Sequence, residues 1–517
     1  MMITDNIKLI KKFSEKLEKF LYNDEIEEIE DYNVKIIVGQ DYNKKTFKAH
    51  LYIIRAMCPY FNTAFKKDWS KKDDDGFFFI EKPNIKPEVF EVIIKYIYSG
   101  TFSVDKKSPE FLFEIIIASD ELLLPELCSY IETHLIKSHS TYLSQNFPYT
   151  LHISFDHSLW KQLQEFCLTK INKDPYSIFE SKNFHSILPN FFKDIIKNDN
   201  LIMDEIDIWM SLIIWCKRQV IQKNFSNNQK IHYDNITRWP KKFKMIFTKI
   251  IKEFIPFIRF NLISYKDFFD KVKPLKEFIQ QDIYERALWY YINPIIITES
   301  VYNRRLELID SNLLKLKHIT LICSWIDRKS ETYSYNNLPY KFELKIRGTL
   351  DGFTASTFQN KCKKLENTFI IMRVKDTDEL IGGYNPYSFE HDRWKDPSDF
   401  WRCEYRSFIF SFPSETNSLN SKNNISWMKY NHLNFSTELK QLESRSRLSR
   451  IDPNHTSNAF YISKNAGPGF GKNDLFLGDN FNLPSSCSCT RQHYLNEIRD
   501  ESLFCIDEYE LFKIIRK

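Results

Sequence analysis

A multidomain protein of mixed α+β class is the prediction for this sequence, and three observations lead to it. The chain has 517 residues, and a typical domain size of roughly 150 residues suggests about three domains. Hydrophobic residues make up 43% of the chain, a fraction typical of packed domains. The residue pattern also changes twice along the chain, from mixed strands and helices to helices alone and then to strands.

Charge, hydropathy and cysteine spacing exclude several classes of protein. The 73 basic and 68 acidic residues leave a net charge of +5, so no nucleic-acid partner is predicted. No apolar run approaches the ~18 residues that a transmembrane segment needs. Lysines interrupt the N-terminal segment, which therefore lacks a signal peptide. The ten cysteines show no framework spacing, which is typical of reduced thiols in the cytoplasm or the nucleus.

Residues 1–29 predict an amphipathic helix. Apolar side chains recur at helical spacing in an otherwise charged segment, and such a helix needs a surface to cover its apolar face. That surface is a second copy of the chain or, as the alternative, the same chain. The candidate dimerisation residues are Ile7, Ile10, Phe13, Leu17, Phe20 and Leu21.

Residues 30–137 alternate between strands and helices. "YNVKIIVGQ" predicts a strand, "KKTFKAH" its hairpin partner, and "HLYIIRAMCPYFNTAF" a pair of helices around Pro59. "FFFIE" predicts another strand, and "KPEVFEVIIKYIYSG" a helix that begins at Pro87 and ends at Gly100. Two more helices follow in "SPEFLFEIIIASDELLLPELCSYIETHLI". This order resembles an α/β BTB (POZ) domain. The structural positions that match the family include Asp31, His50, Tyr60, Phe61 and Gly100.

The BTB resemblance implies a homodimer, and it raises the question of a cullin partner. Many members of the family recruit a cullin and serve as substrate receptors of a ubiquitin ligase. The hydrophobic-x-Glu motif of those members aligns with the candidate cullin contacts Trp69, Ser70 and Lys71. Trp69 supplies the hydrophobic residue, but Lys71 reverses the charge of the glutamate. Such a reversal is costly only where the contact is desolvated.

Residues 138–300 predict an all-α region. A short helix, an acidic N-cap and a helix ending "WMSLIIWCKRQ" resemble the BACK domain of Kelch-type adaptors over residues 151–265. Trp209, Leu212, Ile213 and Trp215 form its predicted core stripe, and the polar segment 219–240 predicts a loop. Residues 301–312 are interpreted as a linker. Kelch-type repeats are not found, since no period of ~50 residues appears.

Residues 313–517 predict a β-rich domain. "TFIIMRV" and "LIGGYN" form a hairpin around "KDTDE", and Thr354 or Ser356 is expected to cap a short helix. The segment 413–449 is rich in Ser, Asn and Lys, a composition that favours mobility.

The stretch "AGPGFGKNDL" invites comparison with a phosphate-binding loop. In the pattern G-x-x-x-x-G-K-[ST], Gly471 and Lys472 match, but Ala466 replaces the first glycine and Asn473 replaces the Ser/Thr. Pro468 also removes one backbone donor. We interpret the stretch as a tight turn before the strand "DLFLG".

The last third resembles a TLDc domain through "RGTLDGFTASTFQNKC", "TFIIMRVKDTDELIGGY", "FIFSF", "GPGFGKNDLFL" and "IDEYELF". The resemblance implies a β-sandwich with flanking helices and no catalytic machinery. It also implies a link to oxidative-stress protection and binding to the vacuolar proton pump. The signature positions are Gly348, Asp351, Gly352, Phe353, Phe358, Gly382, Gly383, Tyr384, Gly467, Pro468, Gly471, Asp474, Glu508 and Glu510.

No catalytic, cofactor-binding or metal-ligating residue is predicted. The sequence contains no supported nucleophile–base pair, no H-E-x-x-H and no paired CxxC. Cys487 and Cys489 are close in sequence and are interpreted as two loop thiols. A redox enzyme that uses these thiols or Cys362 is therefore the least supported hypothesis.

The leading hypothesis is a non-enzymatic adaptor, a BTB homodimer that serves as a cullin-ligase substrate receptor for an unidentified substrate protein. The alternative is a regulator of the vacuolar proton pump that acts through the TLDc domain and uses the BTB domain only for dimerisation.

Overall fold

The computed structural model describes residues 9, 12–17, 19, 32–66, 71–157, 159–224, 235–292, 309–335, 337–362, 365–387, 405–414, 435–461 and 466–517. The chain divides into two compact units. Unit 1 takes in residues 1–170 and 186–188, and unit 2 takes in residues 171–185 and 189–517. Among the described residues, no helix is both long enough and apolar enough to span a bilayer.

A four-stranded sheet forms the centre of unit 1. Its strands are β1 (Val34–Val38), β2 (Lys45–Ala49), β3 (Lys71–Lys72) and β4 (Phe78–Lys82), in the spatial order β2-β1-β4-β3. β1 pairs antiparallel with β2 and parallel with β4. Because side chains alternate along a strand, Val34, Ile36 and Val38 all reach the core. The predicted strand and its hairpin partner are confirmed.

Besides the helical residues 12–17, eight helices are described that begin in unit 1. They are α1 (Leu51–Met57), α2 (Pro59–Ala64), α3 (Pro87–Ser99), α4 (Pro109–Glu121), α5 (Pro125–Ser138), α6 (Ser140–Gln145), α7 (Phe147–Asp156) and α8 (Lys161–Lys173). Pro59 and Pro87 begin helices as predicted, since a first-turn position needs no N–H donor. Gly100 ends α3 with a φ of +66°. Trp160 and Leu163 belong to the core of unit 1, so the boundary between the units lies inside the predicted region 138–300.

The first part of unit 2 is helical. Its helices are α9 (Pro175–Phe179), α10 (Pro189–Lys197), α11 (Glu205–Asn224), α12 (Lys241–Ile251), α13 (Tyr265–Asp267, continued by a π-helical turn over Phe268–Val272) and α14 (Gln281–Ile292). The predicted core stripe of α11 is confirmed, because Trp209, Leu212, Ile213 and Trp215 are all buried. The loop predicted to begin at residue 219 was wrong at its start. α11 continues to Asn224 because the buried Val220 extends its apolar face.

The second part of unit 2 is β-rich. Its strands are β5 (Tyr340–Arg347), β6 (Thr368–Val374), β7 (Leu380–Asn385), β8 (Phe408–Phe412), β9 (Arg447–Arg450), β10 (Phe460–Tyr461), β11 (Gly469–Phe470), β12 (Leu475–Leu477), β13 (Cys487–Ser488), β14 (Leu503–Phe504) and β15 (Ile506–Arg516). Its helices are α15 (Leu316–Ile326), α16 (Gly348–Asp351), α17 (Ala355–Cys362) and α18 (Phe435–Arg445). One sheet has the order β5-β15-β6-β7-β8-β9, and the other has the order β10-β11-β12-β13-β14.

The six-stranded sheet is buried on both faces. Ile370 and Met372 of β6 face a core that includes Phe470 and Leu475 of the second sheet. The alternating residue Ile371 faces a second core, which contains residues of α15. The region is therefore a sandwich of two sheets with helices on its outer face, and the predicted α+β class of the chain is confirmed. The predicted β6–β7 hairpin is also confirmed, and the Thr354 hydroxyl caps α17 by accepting the Thr357 N–H at 3.2 Å.

The mobility expected for segment 413–449 is wrong for residues 435–449. Residues 435–449 include α18 and most of β9, and β9 pairs with β8 in the sheet. Phe435 and Leu442 are buried and hold α18 in place. Within residues 435–445, the polar side chains lie on the exposed face of an amphipathic helix. Residues 415–434 lie outside the described residues.

Candidate functional site

Backbone N–H groups of the "AGPGFGKND" stretch form hydrogen bonds inside the fold. The N–H groups of Gly467 and Gly471 donate to the carbonyl oxygens of Leu477 and Ala459, at 3.0 and 2.9 Å. The Lys472 N–H donates to His493 Nδ1 at 3.3 Å. Donors that are already used inside the fold cannot cradle a phosphate, and the structure therefore supports the interpretation as a turn.

Asp474 fixes this turn. Its buried carboxylate accepts the backbone N–H groups of Gln492, His493 and Tyr494 at 2.7, 2.9 and 2.9 Å. Gly471 has a φ of +62°, and a Cβ atom at that position would lie 2.0 Å from the Asp474 carboxylate. Glycine is therefore required both for the backbone conformation and for the close approach.

The signature glycines of β7 allow close packing, Gly383 against the second sheet and Gly382 against the neighbouring strands of its own sheet. A Cβ atom on Gly383 would lie 2.5 Å from the ring of Phe470 on the second sheet. A Cβ atom on Gly382 would lie 2.1 Å from the carbonyl oxygen of Ile370 on β6. Tyr384 is buried on the other face of the strand. These positions serve packing.

Glu510 on strand β15 is completely buried, and its carboxylate binds residues at the start of the β-rich part. Its carboxylate accepts Arg347 Nε at 2.9 Å, the Asn312 N–H at 2.8 Å and the Ser311 hydroxyl. Arg347 also donates to Asp310 at 2.9 Å. Burial raises the pKa of the Glu510 carboxyl, and the Arg347 guanidinium opposes that shift. Every polar contact of Glu510 is internal, which indicates a structural role.

The other signature residues also make internal contacts. Glu508 accepts the N–H and the hydroxyl of Thr349 at 3.1 and 2.5 Å. Asp351 accepts the Arg347 N–H at 2.9 Å and pairs with Lys361. Phe358 belongs to the core between the sheets, and the partly buried Phe353 packs against that core. The remaining positions, Gly348, Gly352 and Pro468, lie at the start of α16, at its end, and beside β11.

The three thiols singled out in the sequence, Cys362, Cys487 and Cys489, are not placed for nucleophilic chemistry. Cys487 and Cys489 are buried, and their Sγ atoms lie 3.6 and 3.1 Å from the carbonyl oxygens of Phe481 and Asp474. Burial raises the pKa of Cys487 to about 11 and that of Cys489 to about 12. A thiol reacts as the thiolate, so both are weak nucleophiles near neutral pH. The interpretation as loop thiols was wrong for Cys487, which lies in β13. Cys362 is likewise buried.

In unit 1, His50 has a hydrogen-bonding role. Tyr98 Oη lies 2.9 Å from His50 Nδ1 and accepts the His50 N–H at 2.8 Å. Burial raises the pKa of Tyr98 to about 12. His50 itself is half-buried. Phe61 is buried in the core, and Tyr60 lies under the ammonium of Lys82 at 3.8 Å.

The candidate interface residues of unit 1 are only partly described. Lys71 lies on β3, exposed, opposite Phe79 of β4. Trp69, Ser70 and Asp31 lie outside the described residues. In the predicted N-terminal helix, residues 12–17 are helical, Phe13 is 64% exposed and Leu17 is half-buried. Ile7, Ile10, Phe20 and Leu21 lie outside the described residues.

The contact between α11 and α15, both in unit 2, was missed from the sequence. The acidic residue before α11 was expected to cap its own helix, but the Asp204 carboxylate accepts the Leu316 N–H of α15 at 3.1 Å. A cavity of about 140 Å³ lies beside this contact, lined partly by Asp204, Asp267, Lys315 and His318. The only sequence signal of this contact is that Asp204 and Asp207 lie on one turn, and such an acidic pair is common at helix starts. Among the described residues, no group of three or more His, Cys, Asp and Glu side chains could hold a metal ion.

Comparison with known proteins places two domains in the chain. A BTB/POZ domain model matches residues 22–139, and a TLDc domain model matches residues 308–515. The human BTB/POZ domain-containing protein 9 is 25% identical over 190 residues, which are 35% of this chain and 30% of that protein. Kelch-like protein 25 of Xenopus laevis is 23% identical over 181 residues, which are 34% of this chain and 28% of that protein.

The chain therefore spans about a third or less of the length of these relatives. Among solved structures, the BTB domain of zebrafish PATZ1 is 22% identical, with a TM-score of 0.19, and the alignment covers 25% of this chain and 94% of that chain. BTB and TLDc are non-catalytic domain families, and together they support a role in protein interaction. The chain contains a BTB/POZ domain at its N-terminal end and a TLDc domain at its C-terminal end.

Proposed function

We propose that the protein is a non-enzymatic adaptor, a BTB-mediated homodimer that presents a TLDc domain to a partner in the cytoplasm or the nucleus. One observation carries the proposal. The chemically capable signature residues of the β-rich part, Asp474, Glu508 and Glu510, are bound by internal hydrogen bonds. The BTB unit exposes apolar side chains, among them Leu9 and Phe13. Such a molecule works through its surfaces.

Dimerisation is proposed to use the N-terminal helix. Leu9 and Phe13 are each 64% exposed, and exposed apolar side chains at helical spacing are what a second copy would cover. We expect the full chain to elute as a dimer and Phe13→Glu to shift it towards monomer in size-exclusion chromatography with light scattering. Lys12→Glu, an acidic substitution at an exposed neighbouring position, is the control and should remain dimeric. A monomeric natural chain would overturn this part of the proposal.

We propose that the protein recruits a cullin and that Lys71 weakens this contact. Lys71 and Lys72 are both exposed on the short strand β3, which permits a matched comparison by calorimetry. The full chain is titrated with the N-terminal domain of the BTB-dedicated cullin. Lys71→Glu is expected to bind roughly tenfold more tightly than the natural chain, equivalent to about 1.4 kcal/mol. Lys72→Glu is expected to match the natural chain.

Absence of binding by both the natural chain and Lys71→Glu would remove the ligase version of the proposal. The protein would then be a dimeric TLDc scaffold. The role in oxidative-stress protection and the contact with vacuolar proton pump subunits are proposed from the TLDc match over residues 308–515. Co-purification of pump subunits with the full chain, and its loss in Phe13→Glu, would show that the pump contact requires the dimer.

A further inference from the structure

Within unit 2, the helical part meets the β-rich part through a buried tyrosine. Tyr176 of α9 stacks on Phe435 of α18 with ring centroids 4.0 Å apart, and its edge meets Tyr335 at 5.0 Å. Tyr335 in turn donates its hydroxyl to Asp174, and Glu180 accepts the Ser436 N–H at 2.7 Å. The contact is specific, because it combines stacked aromatic rings with directional hydrogen bonds.

Two aspartates at the start of α11 complete this contact. The Asp207 carboxylate accepts the Tyr176 hydroxyl at 2.7 Å, and the same hydroxyl accepts the Asp204 N–H at 3.2 Å. The Asp204 carboxylate accepts the Leu316 N–H, at the first position of α15. The α11 start is thereby connected to both α9 and α15. Among the described residues, the two groups that donate to these carboxylates, the Tyr176 hydroxyl and the Leu316 N–H, are both neutral.

The neighbouring lysines are engaged with other carboxylates. Lys271 and Lys315 pair with Asp267 at 2.9 and 3.2 Å, and Lys317 pairs with Glu438 at 3.1 Å. In the part of the chain that the structure describes, neither Asp204 nor Asp207 forms an ion pair. The charged groups that face the two aspartates are Asp267 and Lys271 from α13 and its π-helical turn, Lys315 and Lys317 from the start of α15, and Glu438 from α18.

Two adjacent carboxylates with neutral donors and no paired cation favour retention of a proton. Burial raises the pKa of Asp204 to about 6, with the Asp267 charge adding to the shift. Burial raises the pKa of Asp207 to about 7, with the charges of Asp204 and Glu438 adding to the shift. When the contact opens, both side chains return to water, where an aspartate titrates near ~3.9.

We propose that Asp204 and Asp207 form a proton-controlled latch between the helical part and the TLDc domain, closed when at least one of them is protonated and weakened when both ionise. The cavity beside Asp204 gives protons a route to the contact. Because the closed state binds a proton that the open state lacks, acidification closes the latch. The stabilisation is full below about pH 4 and is lost as the pH rises through 6 to 7.

The test is amide hydrogen exchange of the full chain, followed on peptides that cover the first turns of α15 and corrected for the intrinsic pH dependence of exchange. Because both carboxyls are raised, opening near pH 5 releases between one and two protons, and each proton released makes the opening constant rise about tenfold per pH unit. We therefore expect protection of the natural chain to fall at least about tenfold between pH 5 and pH 6. Protection that does not change with pH would overturn the proposal without any variant.

Substitutions of the two aspartates test whether these side chains hold the proton that controls the latch. Asp204→Asn together with Asp207→Asn keeps the carbonyl acceptors but removes the titration, so protection should become independent of pH. Asp194→Asn, at an exposed position of α10, is the matched control and should keep the natural slope. A natural slope that persists in the double variant would assign the pH dependence to other groups and overturn the proposal. Circular dichroism at pH 5.5 verifies that the double variant is folded. If the double variant does not fold, the single Asp207→Asn variant replaces it, and this variant is expected to reduce the dependence of protection on pH.

Discussion

In unit 1 the ion pairs lie mostly at the surface, as in Lys45 with Glu91 at 2.9 Å and Lys86 with Glu114 at 2.7 Å. In the β-rich part of unit 2, Arg347 and Glu510 form a pair in the core, where Glu510 has no exposed area. A surface pair can be lost at little cost, whereas a buried pair leaves an uncompensated charge if one member is removed. The BTB unit is therefore free to vary its surface, while the TLDc domain depends on particular polar residues inside.

The largest effect is expected where the TLDc domain keeps its buried charge. Glu510→Ala leaves the Arg347 guanidinium without its core partner and should lower the free energy of unfolding by about 3–5 kcal/mol. Urea denaturation measures this change. Glu343→Ala on the neighbouring strand removes an exposed carboxylate that pairs with Lys345, and it should have a much smaller effect. Equal effects of the two substitutions would remove the contrast between buried and exposed ion pairs.

A smaller loss is expected from crowding the two sheets. Gly383→Ala places a methyl group against the Phe470 ring and should cost about 1–3 kcal/mol. Phe470→Leu in the same chain makes room, so the double variant should lose less than the sum of the single losses. Thermal unfolding of the four chains measures this coupling, and strict additivity would mean that the sheets separate to accommodate the methyl group.

Unit 1 offers a partly buried ion pair for comparison. Lys82 pairs with Glu121 at 2.6 Å, with Lys82 largely buried and Glu121 30% exposed. Lys82→Met keeps the apolar stem but leaves Glu121 only the Asn84 amide, which also bonds to it. Because water can reach Glu121, we expect a loss of about 1–2 kcal/mol in urea denaturation, below that of Glu510→Ala. A larger loss than that of Glu510→Ala would reverse the comparison.

The smallest effect is expected at a helix start of unit 1. The Ser108 hydroxyl accepts the Phe111 N–H at 3.3 Å and caps α4. Ser108→Ala should cost about 1 kcal/mol, and Ser108→Asp should restore most of it, because a carboxylate also caps a helix. The unfolding midpoint of each variant measures the change. A Ser108→Asp chain as unstable as Ser108→Ala would show that the cap contributes little.

Local pattern predicted the elements well and the contacts between distant elements poorly. The helix of residues 87–99 could be predicted because proline begins it and Gly100 ends it. The role of Asp204 could not, since its partner Leu316 lies 112 residues away and donates a backbone N–H that any residue carries. Phe435 and Leu442 similarly order a segment whose composition suggests mobility. The burial of these two apolar side chains thus decides the order of the segment, although most of its residues are polar.

The spatial order of the six-stranded sheet has a consequence for how the protein is made. β15 lies between β5 and β6, and among the described residues β15 is the strand of the sheet with which β5 pairs. A ribosome delivers β5 long before β15, so β5 stays without this neighbouring strand until β15 has been synthesised. The TLDc domain is therefore expected to close only after β15 has emerged from the ribosome, with a late-folding interval in which unpaired strands invite aggregation or chaperone binding.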